Sequence, residues 1–285
     1  MPSILIAGCG YVGQATADLF QQAGSVVEGW TASPESSAAL SDKSYRVIAR
    51  DATDRAAVTT QAGLFDAIIQ CTSSGGGSAE DYRRVYLRAA QNLVQAFPTA
   101  TLLFTSSTSV YAQRAGEWVD ERSPAEPARE TAKVLRETED FVLAHGGIVA
   151  RLAGIYGPGR SALLGKFLRG EAVAAIGEER FVNYAHRDDI ATALFLLIER
   201  RAELSGEKIY NIVDDSPMPM QTCYEWLART LERPLPARTV SRSERKRGDS
   251  NKRVSNAKLR SLGWRPRYPT FQIGMEKSVI PEWKS

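Results

Sequence analysis

Three glycines in the run Gly8-Cys-Gly-Tyr-Val-Gly13 stand at the spacing that a nucleotide pyrophosphate requires. Such a group needs backbone N–H donors at close range. Gly8 would make the tight turn, Gly10 the bare approach and Gly13 the close packing of a helix, with Tyr11 and Val12 completing the turn. The surroundings strengthen this. Ser3 to Ala7 is a short, continuous apolar run, and Thr16, Leu19 and Phe20 then begin a helical spacing that stops near Gly24. A second apolar run, Val26 to Trp30, closes a βαβ unit, with a right-handed crossover expected. The alternative is a glycine turn kept only for packing.

The residue ending the second strand sets the choice between NAD and NADP, because a carboxylate there bonds the ribose 2′-OH and an arginine accepts a 2′-phosphate. This chain has Thr31, followed by Ala32 and Ser33, and Glu28 falls within the strand, out of place for the ribose. Without a carboxylate to repel a phosphate the site leans slightly toward NADP, yet no basic residue grips one. Asp51, at the end of the third strand, could accept from the adenine amino group or could share a helix cap with Asp54. Cys9 lies in the glycine turn and Cys71 at the end of a neighbouring strand, so both fall near a bound cofactor. A helix N-terminus lowers a thiol pKa, which makes Cys9 a redox-sensitive candidate; the plainer alternative is a small buried side chain.

These residues need a frame. Further strands are expected at Tyr45 to Ala49, Ala67 to Cys71, Thr101 to Thr105 and Ile148 to Leu152. Between them Tyr82, Tyr86, Ala89, Leu93 and Phe97 recur at helical steps and predict one long amphipathic helix. Alternating strands and helices imply an α/β fold with a doubly wound parallel sheet. A polar stretch, Gln113 to Glu130, is expected to cross the surface before a helix at Ala132 to Leu143. Later segments include a helix at Asp189 to Glu199 and a strand at Ile209 to Val213, which read as part of a smaller C-terminal α/β lobe. The expected division is a nucleotide-binding domain over residues 1–155 and a mainly substrate-binding lobe over 156–285, with residues 181–215 contributing to both.

Composition excludes several classes. The chain has 285 residues, 43% hydrophobic and 24% charged, and its net charge of +3 creates no field selective for nucleic acid or an anionic membrane. No apolar run approaches the ~20 residues of a membrane helix, and no basic residue precedes the first apolar run as in a signal peptide. A cytoplasmic protein is expected. Three scattered cysteines and two histidines, His145 and His186, form no disulfide framework and no metal-ligand spacing, so no metal centre is expected. Arg233 to Arg260 holds ten basic residues against two acidic ones, but without interleaved aromatics or a DNA-reading module it does not predict nucleic-acid binding.

Together these segments resemble the extended short-chain dehydrogenase/reductase superfamily, in its NAD(P)-dependent epimerase/dehydratase branch. The resemblance runs through the glycine motif, Asp51-Ala-Thr-Asp54, Thr105-Ser-Ser-Thr-Ser-Val-Tyr-Ala112, Arg151-Leu-Ala-Gly-Ile-Tyr-Gly-Pro-Gly159, His186-Arg-Asp-Asp189, Tyr210-Asn211 and Arg247-Gly-Asp249. It implies a Rossmann-type fold and an NAD(P) cofactor touched also by Ala52 and Thr72. It implies a homodimer through helices near residues 80–97 and 131–144. In the family Ser, Tyr and Lys carry the chemistry, with Tyr and Lys four residues apart. Ser107 matches the serine that binds the substrate oxygen, and Lys133 the lysine that holds the nicotinamide ribose and lowers the tyrosine pKa. Arg247 matches an arginine that contacts a sugar nucleotide's diphosphate.

The tyrosine position is Arg129, which makes this an atypical member. A guanidinium, with a pKa above ~12, cannot exchange a proton at neutral pH. Three readings follow. The proton work moves to Tyr156, His186 or Tyr184, His186 having an ordinary pKa near ~6.5 and otherwise being structural at a helix start. Or the chain is a cofactor-binding redox sensor that has lost its chemistry. Or Arg129 grips an anionic substrate, such as a sugar nucleotide, through its planar fork. Against these stand surface ion pairs: Arg129 with Glu126 or Glu130, and Lys133 with Glu137.

Overall fold

The computed structural model describes residues 1–60, 64–175, 179–239 and 250–283. In chain order the first elements are β1 (Ser3–Ala7), α1 (Tyr11–Gln22), β2 (Val26–Thr31), α2 (Pro34–Ala38), β3 (Arg46–Ala49), α3 (Arg55–Thr59) and β4 (Ala67–Gln70). Next come α4 (Ala79–Tyr82), a π-helical turn (Arg83–Arg88), α5 (Ala89–Ala96), β5 (Thr101–Ser107), β6 (Glu117–Val119), α6 (Glu130–Ala144), β7 (Ile148–Leu152) and β8 (Gly154–Tyr156). They are followed by α7 (Ala162–Leu168), β9 (Val173–Ala175), β10 (Phe181–Val182), β11 (Tyr184–His186), α8 (Arg187–Glu199), β12 (Ile209–Ile212), β13 (Met218–Pro219) and α9 (Met220–Thr230). The chain ends through β14 (Ala237–Thr239), β15 (Lys252–Val254), α10 (Ala257–Ser261), α11 (Phe271–Gly274) and a second π-helical turn (Met275–Val279).

Contacts divide the chain into two interleaved units. The first comprises Met1–Val110, Ala125–Arg151 and Ile190–Tyr210, and the second Tyr111–Pro124, Leu152–Asp189 and Asn211–Ser285. The central sheet has seven strands in the order β12-β7-β5-β4-β1-β2-β3. β1 pairs in parallel with β2 on one side and β4 on the other, and β2–β3 and β4–β5 are parallel as well. Ile4 to Ala7 are fully buried, which is why β1 reads as an unbroken apolar run rather than an alternating one. Strand order reverses between β1 and β4, so their carboxyl ends form the switch point where doubly wound sheets bind ligands. Ring contacts of Phe97 with Trp30 and Phe65 fill the space beside β2.

The long helix expected from Tyr82 to Phe97 forms, but with a π-helical turn between α4 and α5. Ser78 and Asp81 start it with a reciprocal capping box. In the second unit Tyr156, Leu164, Phe167, Tyr224, Phe271 and Met275 are among the residues of its own core. The polar stretch after Gln113 does more than cross the surface. It contributes β6, which pairs in parallel with β15, Lys252 opposite Glu117.

Candidate functional site

Gly8 has φ +95°, and a Cβ there would meet the backbone of Cys71 and Thr72 at 2.6 Å, so the loops after β1 and β4 touch at the switch point. A Cβ on Gly13 would overlap the Gly8 carbonyl oxygen. At Gly10, by contrast, no described atom lies within 4 Å of where a Cβ would stand, which leaves open the space a side chain would fill. Gly10 is also the N-cap of α1; among the described residues no side chain caps the helix, and its first turn carries no acidic residue. The positive end of a three-turn helix therefore faces a bare backbone, and a diphosphate fits that cradle. The Gly8 and Cys9 N–H groups both donate to the Trp30 carbonyl, at 3.1 and 2.7 Å, which ties the turn to β2.

Partners commit several of the side chains at the ends of β2 and β3. Glu28 accepts from the Trp30 indole N–H at 2.7 Å and pairs with Arg46 at 3.0 Å, so its carboxylate is committed inside the sheet edge. The Thr31 hydroxyl donates to the Ser33 carbonyl at 3.1 Å. Arg50, which sequence reasoning passed over, donates its backbone N–H to Thr31 O at 2.7 Å, a proximity created only by the β2–β3 pairing. Its guanidinium turns to the Ala57 carbonyl and the Trp30 ring. Asp54 alone caps α3, accepting from Ala56 and Ala57 N–H, whereas Asp51 accepts from Thr53 N–H at 2.8 Å. Asn92 donates to the carbonyls of Ala52 and Thr53 and fixes that loop against α5. The Thr72 hydroxyl donates to Val85 O at 3.1 Å.

Burial holds both candidate thiols protonated, Cys9 pushed up to about 11 and Cys71 to about 12. For Cys9 desolvation outweighs the helix end, so the redox-sensitive thiolate expected from position alone is not what this environment makes.

Ser107 ends β5, its Oγ accepting from Ser109 N–H at 3.1 Å. Lys133 pairs with Glu130 at 2.7 Å on the exposed face of α6, while Glu137, its expected partner, instead holds Arg83. Arg129 is the exposed N-cap residue of α6, with extended backbone. One further group escaped the sequence. Glu139, 0% exposed on the inner face of α6, accepts from Ser106 Oγ at 2.6 Å, from Arg151 Nε and Nη2 at 3.0 and 2.7 Å, and from Arg136 at 3.2 Å. A glutamate in step with Val134, Leu135, Thr138 and Val142 was the available signal. This cluster bolts the helix that carries Lys133 to the strand that carries Ser107.

In the second unit two of the acid–base candidates, Tyr156 and His186, are sealed, and Tyr184 is half-buried. Tyr156 is 1% exposed, its hydroxyl has no partner among the described residues, and burial raises its pKa; Gly274 gives way to it, since a Cβ there would overlap the hydroxyl. His186 is 0% exposed, with Nδ1 accepting from Asp188 N–H at 3.2 Å and Nε2 therefore donating to Ser278 Oγ at 2.9 Å. Burial pushes it down to about 4, so it is a neutral structural imidazole. Tyr184 is likewise raised by desolvation. Asp189 accepts from the N–H groups of Arg267 and Tyr268. Arg247 lies outside the described residues. Among the described residues no group of His, Cys, Asp or Glu could hold a metal ion, and no helix is long and apolar enough to cross a membrane.

Sheet order, switch point and glycine cradle define a dinucleotide-binding protein of the extended short-chain dehydrogenase/reductase type. The model of the NAD dependent epimerase/dehydratase family matches residues 4–213, and the chain belongs to that family. No curated protein matches it. A Methylobacillus flagellatus structure assigned to the NAD-dependent epimerase/dehydratases is 27% identical, with TM-score 0.77 over 97% of both chains. The UDP-glucose 4-epimerase of Thermus thermophilus, in complex with NAD, is 20% identical, with TM-score 0.77 over 96% of both chains. MoeE5 in complex with UDP-glucuronic acid and NAD is also 20% identical, with TM-score 0.77 over 99% of this chain and 98% of that one.

Proposed function

We propose that the chain is an NAD(P)-dependent oxidoreductase or epimerase acting on an anionic sugar nucleotide. The observation that carries this is the open cradle over Gly10 at the uncapped head of α1. A nicotinamide dinucleotide held there would supply hydride transfer at an alcohol-bearing carbon. The backbone of Gly8 to Gly13 would hold its diphosphate. Thr31, Asp51, Ala52, Cys71 and Thr72 would line the adenosine side, and Lys133 would hold the ribose on release from Glu130. Ser107 would donate to the substrate oxygen. Arg129 would grip a carboxylate or phosphate rather than move a proton. With Glu28 committed to Trp30 and Arg46, no carboxylate there repels a 2′-phosphate, which supports acceptance of NADP as well as NAD.

The test is a parallel fluorescence titration with NADH and NADPH. Micromolar binding of either supports the reading, and failure of both overturns it. The burial of Tyr156 and His186 favours a second reading, a cofactor-binding sensor without chemistry. Wild-type turnover that Ser107→Ala abolishes excludes the sensor; reductase activity appearing only in Arg129→Tyr establishes it.

A further inference from the structure

Lys252, the first residue of β15, is 6% exposed. Its ammonium donates to the Tyr111 carbonyl at 2.9 Å and to Ser250 Oγ at 3.0 Å, and no carboxylate lies within ion-pair distance among the described residues. A buried cation whose described partners are neutral is an expensive arrangement, and of an ammonium's three donors the described residues take two. The segment around it is held from both sides. Asn251 N–H donates to Gln113 O and Gly116 N–H to Asn251 O, while Asn183 donates to Lys252 O and accepts from Val254 N–H. The strand that carries this nitrogen is therefore fixed in place by its backbone pairing and by Asn183. Two residues along from Tyr111, the Gln113 side-chain oxygen is buried and has no hydrogen-bond partner among the described residues.

We propose that Lys252 and Gln113 form an anion-binding subsite of the second unit, where the ammonium takes a carboxylate or phosphate oxygen of the substrate and Gln113 Oε1 accepts from a neighbouring hydroxyl. This rests on the functional reading above and names a residue of the second unit that would read the substrate's charge. Burial pulls Lys252 down to about 8, with Arg180 lowering and Glu117 raising it, so the cation persists at neutral pH and is lost just above it.

The experiment measures binding of inorganic phosphate, UDP-glucose and UDP-glucuronic acid to the NADH-saturated protein by calorimetry. Lys252→Gln is expected to weaken binding about 10- to 100-fold, the range for losing a hydrogen bond to a charged group, with NADH affinity unchanged. Equal loss for both sugar nucleotides assigns the phosphate; loss only of the preference for UDP-glucuronic acid assigns the carboxylate. Should Lys252→Gln not fold, the wild-type pH series decides: affinity for UDP-glucose or UDP-glucuronic acid falls as pH rises through about 8, and Lys252→Arg, which keeps its charge, abolishes that fall. Wild type and Lys252→Gln binding the probes alike, a flat pH series, or no binding of any probe overturns the subsite. Failure of NADH and NADPH to bind would instead overturn the functional reading.

Discussion

Glu139 shows how a single buried charge organises its neighbours. It holds Ser106, Arg136 and Arg151 at once, so removing one arm leaves a carboxylate buried and undercompensated. Arg151→Met is expected to lower stability by about 3–5 kcal/mol in urea unfolding, and Glu139→Met on that background to recover part of it. A loss under about 1 kcal/mol in the single variant would mean the cluster does not anchor α6. His186 makes a second prediction. Its folded pKa of about 4 lies below the ordinary 6.5, so the unfolded chain takes up the proton first. The stability it contributes is present above pH 6.5 and is lost as pH falls toward 4. The gap between wild type and His186→Asn, followed by thermal melts across that range, should narrow on acidification by up to about 3 kcal/mol. A constant gap would show that the imidazole is not held neutral.

At the level of elements, local chemistry and distant pairing divide the work. The helix from Ala79 to Ala96 is announced by its apolar spacing and begun by the Ser78–Asp81 box. Ser78→Ala should lower stability by about 1 kcal/mol and speed amide exchange in α4 while leaving α6 protected. The π-helical turn at Arg83–Arg88 was not legible, because one extra residue in a turn barely disturbs steps of three and four. β6 was missed for a different reason. Three residues in a polar stretch carry no periodic signal, and Glu117–Val119 becomes a strand only because Lys252–Val254 lies beside it.

For the whole molecule, the chain passes repeatedly between its two units. A fragment of residues 1–155 would omit Ile190–Tyr210, which belongs to the first unit and carries most of α8 and the start of the edge strand β12. That fragment is expected to show no cooperative thermal transition, whereas the full chain should; a sharp transition in the fragment would make residues 1–155 an autonomous domain. Cofactor binding should act on the full chain by mass action. NADH at about one hundred times its dissociation constant adds about 2.7 kcal/mol, seen as a rise in melting temperature. Gly13→Ala, which forces a methyl group against the Gly8 carbonyl, should abolish that rise.

Read alone, the sequence determined what depends on neighbours along the chain. The apolar runs of β1 and β2, the glycine turn between them and the start of α1 lie within thirty residues, and a βαβ unit leaves little freedom in joining them. It also set Arg129 four residues before Lys133, where the resemblance expects a tyrosine, since that is a matter of spacing. Only the tertiary structure decided which side chains are available for chemistry. His186 and Tyr156 have the right types, but burial makes one a neutral hydrogen-bond bridge and leaves the hydroxyl of the other without a partner among the described residues. Glu139 and Lys252 are charged residues that a helix face and a strand pairing draw inside. Desolvation and partner geometry depend on residues tens to hundreds of positions away, and no local pattern carries them.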